Sequence, residues 1–427
     1  MNSYSKIRYI SWEFIVFLFF VLVFGRGSSL VANFDPRINP VGSLLYFGCI
    51  VYMLKHKREV NTTANQQFRN LFWFVFFVWF FLHLFIIDGG FPLVIYVQFL
   101  LHFLAGILII KTYGNEIGIY FEKALVFLSA ISVVCWIIEV VAGQNLLLKF
   151  PIVLDNILGN SEHSIIFYTL GGATSLYGNL CRNSGCAWEP GLFSVMVCMA
   201  IQFNISRNLG VKLNKHLIIL LIALATTFST TGYSIAFIIF VFYFLYTKRL
   251  TLLRKIIYIS FLSFVFICVY NLPFMSEKIE SRSNVANFSI ESGALEWKEK
   301  ENKVFTVDRI EGLYLDYLNF INNPFFGYGL QREKSYVYNN ISPNIITSNG
   351  ILKPFAQFGF ILAILLLVLT FKSSKKLSRE YSFDVSWVLF MVIFIGSVSY
   401  LFDSTPIMRA IELYALYNVK NIEEIYV

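Results

Sequence analysis

The feature that most constrains this 427-residue chain is a succession of apolar runs, each roughly 16–22 residues long, repeated from end to end. At about 1.5 Å of rise per residue, such a run, once helical, reaches across a hydrocarbon layer about 30 Å thick. A water-facing core has no room for so much apolar material: 57% of the residues are hydrophobic, only 14% are charged, and 46 are Phe. The chain therefore reads as an all-α polytopic membrane protein with about 11–12 transmembrane helices, a single integral membrane domain over residues 1–427.

The expected spans are 9–25, 39–55, 70–87, 91–110, 122–141, 187–206, 215–228, 232–247, 255–274, 350–371 and 385–402, with a weaker twelfth near 404–419. Lys6 and Arg8 precede the first span, and no small-residue cleavage site follows it, which suggests an uncleaved signal anchor. Basic residues set the orientation. With a cytoplasmic N-terminus, alternate short loops hold Lys55, Lys57, Arg58 and Arg69; Lys111 and Lys123; Arg207, Lys212 and Lys215; Lys248, Arg249, Arg254 and Lys255; and Lys372, Lys375, Lys376 and Arg379. The opposite short loops hold only Arg26 and Arg37. The net charge of +8 is thus mostly a topology signal, with no clustered, aromatic-interleaved patch of the kind that binds nucleic acid.

Two connections break the pattern of short turns. Residues 142–186 and 275–349 both fall on the extracytoplasmic side as long loops, the second expected to be partly helical, and loops of such length in a compact protein usually carry function. Four cysteines, Cys49, Cys135, Cys198 and Cys268, lie inside apolar spans and read as small hydrophobes. Cys181 and Cys186 flank Arg182 on the oxidising face, where they either bridge or remain free thiols.

Those cysteines belong to "CRNSGCAWEPG", residues 181–191, a polar stretch at the start of the sixth span. Pro190 suits the first position of a helix, where its missing N–H costs nothing. Glu189 would then cap that helix, Trp188 would sit at the interface, and Gly185 permits a turn. None of this accounts for Arg182, a guanidinium beside a helix N-terminus and hence a combined site for an anion.

The segment "RNSGCAWEPG" resembles the Arg-x-x-Gly-x-x-x-Glu-Pro-Gly signature of the Wzy-type O-antigen polymerase family, membrane glycosyltransferases related to the O-antigen ligases. Three further stretches are similar to that family. "FSTTGYSIAF" (228–237) resembles its Ser/Thr-Gly turn between two short spans, and "DRIEGLYLDYLNFINNPFFGYGL" (308–330) its Arg…Asn-Pro-x-x-Gly-x-Gly loop segment. "SNGILKPFAQFGFI" (348–361) resembles its re-entry into the membrane. The resemblance covers roughly residues 180–365.

The resemblance implies a bacterial inner-membrane enzyme with its active site facing the periplasm. Its substrates would be a growing glycan on undecaprenyl diphosphate and a second lipid-linked repeat unit that accepts it. A separate chain-length regulator is an expected partner. The essential arginines of the family lie in the two long loops, which here points to Arg182 and Arg309. Departure of a diphosphate needs its charge stabilised, and no Asp-x-Asp pair or His cluster occupies the outer loops. Arginine is suited to the task, because its fork matches phosphate oxygens and never loses its charge. No metal and no cofactor is therefore expected.

A base must take the acceptor hydroxyl's proton. Glu189, Asp308 and Glu311 are the nearest carboxylates in sequence, and Glu189 is the candidate unless capping is its whole role. Candidate substrate contacts are Gly185, Asp308, Tyr314, Gly327, Gly329, Arg332 and Asn349, with tyrosines available to stack on sugar rings. "LYLDYLNFI" has helical apolar spacing, so Arg309 would ride on an interfacial helix at diphosphate height. The polar "STTG" stretch is expected to turn the chain between two short spans rather than to bind ligand. His83 and His102 are read as neutral, hydrogen-bonded bundle residues, and Glu13, Asp88 and Glu139 as reaching water.

Two enzymatic outcomes compete with two other classes, a flippase or transporter and an inert scaffold or receptor in which Arg182 and Arg309 would be dispensable. Ligases of the family carry a histidine after the Gly-x-Gly segment, whereas residues 331–349 here contain none, which favours a polymerase. A flippase or transporter would need charged residues along a central path, and these spans are nearly free of charge.

Overall fold

The computed structural model describes residues 11–26, 28, 40–58, 60–61, 66–87, 93–147, 164–170, 181–208, 210–247, 250–271, 305–307, 309–347, 349–381, 387–398 and 405–419. Helices dominate. They are α1 (Trp12–Gly25), α2 (Pro40–His56), α3 (Gln66–Leu82), α4 (Leu93–Tyr113), α5 (Ile117–Ala142), α6 (Gln144–Leu147), α7 (Pro190–Arg207), α8 (Lys215–Thr226), α9 (Thr230–Tyr246), α10 (Leu252–Tyr270), α11 (Arg309–Asn322), α12 (Tyr336–Asn340), α13 (Lys353–Glu380), α14 (Val388–Ser397) and α15 (Pro406–Leu413). The strands among the described residues are two-residue pairs: β1 (Val60–Asn61) runs antiparallel to β4 (Asn418–Val419), and β2 (Phe305–Thr306) parallel to β3 (Ile345–Ile346).

Three stretches, Gln66–Phe85, Val94–Ala142 and Lys353–Glu380, are long and apolar enough to cross a membrane. The 49-residue stretch is divided by a 3₁₀ turn at Gly114–Glu116 into α4 and α5. Other expected spans are shorter than a bilayer: α8 has 12 residues, α14 has 10 and α15 has 8. At about 1.5 Å per residue α8 reaches only some 18 Å. The polar turn that ends it accounts for this length. The weaker twelfth span is α15 followed by a 3₁₀ turn, and it holds a fully buried arginine. Arg409 donates to Glu412 at 2.6 Å and lies 4.3 Å over the Phe103 ring of α4. Ion pairing and a π-face compensate a charge that sequence hydropathy alone penalises.

The centre of the bundle is α7. Every residue from Gly191 to Ser206 is buried, against α1, α5, α8, α9 and α14. At its far end Glu122 of α5, 1% exposed, gathers three elements. It accepts from Arg207 at 2.8 and 2.6 Å, from Asn204 at 2.7 Å and pairs with His216 at 2.8 Å. Glu139, expected to reach water, is instead buried and accepts from the Tyr168 hydroxyl, because the 164–170 segment folds over the end of α5.

Candidate active site

The polar start of α7 is clamped on three sides. Trp188 donates to the Gly25 carbonyl at 3.0 Å, and a Cβ on Gly25 would stand 2.5 Å from the Cys186 carbonyl oxygen, so α1 ends directly against this loop. Thr169 donates to the Gly185 carbonyl at 2.7 Å. The third contact is the α8–α9 turn: Asn183 donates its backbone N–H to Thr226 O at 3.0 Å and its amide to Thr226 Oγ1 at 2.8 Å. Gly185 adopts φ +54 with its Cα against the Phe193 ring, a packing role that leaves no space for a side chain. Cys181 and Cys186 are not joined in a disulfide, and burial pushes the Cys186 thiol up to about 12, which makes it a poor nucleophile.

Arg182 is half-buried and its Nε donates to the Thr227 carbonyl at 3.1 Å, so the guanidinium is aimed along the α8–α9 turn. Glu189 occupies the N-cap position of α7 with extended backbone, and Pro190 follows as the first helical residue. The expected cap is corrected in one respect: the Glu189 side chain makes no hydrogen bond to the first turn. A carboxylate can favour a helix N-terminus through the dipole without that bond.

The same turn opens the cavity that gathers other candidate residues. Ser229 caps α9 by accepting from Gly232 N at 3.3 Å, and Phe228 beside it adopts φ +46, an uncommon conformation for a bulky residue. Just beyond, Thr230, Thr231 and Ser234 line a cavity of about 530 Å³. Arg309, Leu313, Tyr314 and Tyr317 of α11 form a second wall, Asn349 and Leu352 a third, and Ile395 and Val398 complete it. Arg309, Tyr314 and Asn349 are thus brought together, whereas Arg182, Gly185 and Glu189 lie outside the lining. The expected turn at Ser229–Gly232 is shifted: the chain reverses over Thr227–Ser229, and Thr230, Thr231 and Gly232 form the first turn of α9, where Thr230 and Thr231 line the cavity.

Three helices begin here. The first turns of α9 and α11 border the space, and Asn349 accepts from Ile351 N at 2.8 Å and Leu352 N at 3.1 Å at the start of α13. Helix starts carry partial positive charge, and with the Arg309 guanidinium they make the polar side of the cavity suited to an anion. The rest is apolar. Leu313, Tyr317 and Ile321 are exposed on α11, the stripe expected of a helix lying along a bilayer surface.

The Asn-Pro-x-x-Gly-x-Gly segment docks into a break in α13. At Gly359, φ +72 and ψ 173 interrupt the helix. Carbonyls left open there accept from the loop: Tyr328 N reaches Ala356 O at 2.9 Å and Gly329 N reaches Gln357 O at 3.0 Å, while Phe360 N donates to Pro324 O at 2.7 Å. Trp79 Nε1 and His83 Nε2 both meet the Phe326 carbonyl at 2.8 Å, so buried His83 is a hydrogen-bonded bundle residue. Gly327 and Gly329 therefore sit against helix backbone and His83 rather than in the cavity lining. Arg332 donates to the Pro343 carbonyl and lies over the Tyr338 ring, also away from that lining. Asp308 and residues 275–304 lie outside the described residues.

No curated protein and no solved structure matches the chain. Residues 216–367 match a family model described as O-antigen ligase, a stretch that contains nine of the eleven cavity-lining residues but begins after Arg182 and Glu189. The chain is therefore an all-α integral membrane protein whose residues 216–367 are similar to the O-antigen ligases, relatives of the polymerase family that its motifs resemble.

Proposed function

We propose that this protein polymerises undecaprenyl-diphosphate-linked oligosaccharide repeat units into O-antigen or a related surface polysaccharide, at the periplasmic face of the bacterial inner membrane. The observation that carries the reading is the cavity: one guanidinium and three helix starts border it together with apolar and aromatic residues. That combination suits the diphosphate and the first sugars of a lipid-linked glycan, with the lipid left in the bilayer.

In this reaction an acceptor hydroxyl attacks the anomeric carbon of the donor sugar, and the bond from that carbon to the diphosphate oxygen breaks. The leaving diphosphate takes the bonding electrons. Arg309, with the helix dipoles, stabilises that charge as it develops. Arg182, outside the cavity lining but hydrogen-bonded to the turn that borders it, is the candidate second cation. Glu189 remains the candidate acceptor for the hydroxyl proton. Tyr314 and Tyr317 offer ring faces for the sugars, and Asn349 a polar contact.

The second reading, an O-antigen ligase, is favoured by the description of the matching family model. The absence of histidine from residues 331–349 supports the polymerase instead. Deleting the gene in its host and resolving the lipopolysaccharide on a gel separates the two. Collapse of the ladder to core plus one repeat unit is expected; loss of that single repeat as well would mean a ligase or a flippase.

A further inference from the structure

Two walls of the cavity come from elements distant in sequence, α11 and the 345–352 segment that leads into α13. One buried acid joins them. Asp316, two turns beyond Arg309 on α11, has no exposed surface. Its Oδ1 accepts the Thr347 hydroxyl at 2.8 Å, and Lys353 Nζ donates to the Thr347 carbonyl at 2.8 Å. Its Oδ2 has no hydrogen-bond partner among the described residues. Val307, Leu315, Val337 and Ile345 pack into a small apolar cluster at the same junction. A carboxyl half-satisfied in such surroundings costs the fold free energy. Asp316 does not line the cavity, and the reaction outlined above does not use it.

We propose that Asp316 is a positioning residue: its contact with Thr347 latches α11 to the segment carrying Asn349 and thereby sets Arg309 and Asn349 across the cavity in a proton-dependent manner. The role in catalysis rests on the reading that this cavity is where glycosyl transfer occurs. Burial pushes the Asp316 carboxyl up to about 7, while the Lys353 charge and the Thr347 and Asn319 side chains pull it down. Charged groups on the neighbouring elements are Arg309 and Glu311 on α11, Arg332, Glu333 and Lys334 in the adjoining 3₁₀ turn, and Lys353 on α13; α12 adds Tyr336 and Tyr338. Of these, Lys353 is the charge that acts on Asp316.

The closed latch thus holds a proton that an open, hydrated carboxyl releases. Protonation favours closure. The stabilisation is complete below the ordinary carboxylate range, is lost progressively as pH rises through that range toward 7, and stays lost above. Between pH 5.5 and 7.5 the closing equilibrium weakens roughly 20-fold if opening hydrates the carboxyl fully.

Hydrogen exchange on the full-length protein in lipid nanodiscs, corrected for intrinsic rates, reads this without any substrate. Amides of 309–322 and 345–352 are expected to lose protection by up to about 20-fold from pH 5.5 to 7.5, while those of α7 do not. Asp316→Asn keeps an oxygen for Thr347 but cannot titrate, so its protection should stay at the low-pH level throughout. Thr347→Val should lose protection at both pH values. Equal wild-type protection at both pH values, or a pH response that persists in Asp316→Asn, overturns the latch; should Asp316→Asn not fold, the wild-type comparison decides alone. The catalytic part is read in the host, where Thr347→Val should shorten the polysaccharide ladder at normal protein levels. A full-length ladder there removes the positioning role. A ladder unaffected by deleting the gene instead removes the polymerase reading and leaves the exchange result standing.

Discussion

Replacing Gly327 by alanine tests whether the Asn-Pro-x-x-Gly-x-Gly loop really closes the break in α13. The glycine has φ +71, and a Cβ there would stand 2.2 Å from the Gln357 carbonyl oxygen and 2.4 Å from its carbon. Both are backbone atoms, so no rotamer change relieves the overlap. The loop must lift, and the amide hydrogen bonds at 2.9 and 3.0 Å from Tyr328 and Gly329 to α13 are the first to go. A left-handed alanine costs about 1–2 kcal/mol, and each hydrogen bond contributes about 0.5–1.5 kcal/mol. The variant should therefore be about 2–5 kcal/mol less stable. Heating detergent-solubilised protein and measuring the surviving fraction by fluorescence-detected size exclusion gives the comparison. Gly48→Ala in α2 is the control, because its Cβ would meet nothing within 4 Å. Alanine there should be neutral or stabilising by up to about 1 kcal/mol. If Gly327→Ala melted with Gly48→Ala and still made a full polysaccharide ladder, the inserted loop would be wrong. A stable variant lacking only the ladder would point to a sugar contact instead.

Arg182→Lys and Arg309→Lys should each shorten or abolish the ladder at normal membrane levels, since a point charge loses the guanidinium fork; a charge-assisted contact contributes about 1.5–3 kcal/mol. A wild-type ladder from Arg182→Ala would reduce the start of α7 to a packed turn. Glu122→Ala leaves Arg207 and His216 without their shared acceptor and should destabilise the bundle by about 3–5 kcal/mol, read by the same heating assay. Polymerisation by purified enzyme should survive exhaustive chelation with EDTA, and restoration of a lost activity by magnesium or manganese would count against an arginine-based site. An impermeant thiol reagent should label Lys298→Cys in outer-membrane-permeabilised cells before lysis, and labelling only after lysis would reverse the topology.

Among the described residues a helix stands at each expected span, and the order and rough limits of those helices were legible in the amino-acid sequence, because hydrocarbon thickness and backbone satisfaction leave an apolar run of about 20 residues few alternatives. Pro190 at a helix start and a chain reversal beside Ser229 were equally local facts, written in residues that cap and turn, although Thr230–Gly232, expected in the turn, open α9 instead. Depth and partnership were not. Glu139 lies near a span end in sequence, and only the fold of 164–170 over α5 buries it against Tyr168. Gly327 and Gly329 read as breakers in a loop; what they serve is the break at Gly359, thirty residues on, whose open carbonyls no local pattern announces. The cavity likewise joins Thr230, Arg309 and Asn349, three positions over a hundred residues of chain, and Asp316 acquires its buried contact only where α11 meets Thr347. Helix formation is decided within one turn by hydrogen bonds and side-chain shape. A site is decided by which helix ends meet, and that follows from packing across the whole bundle.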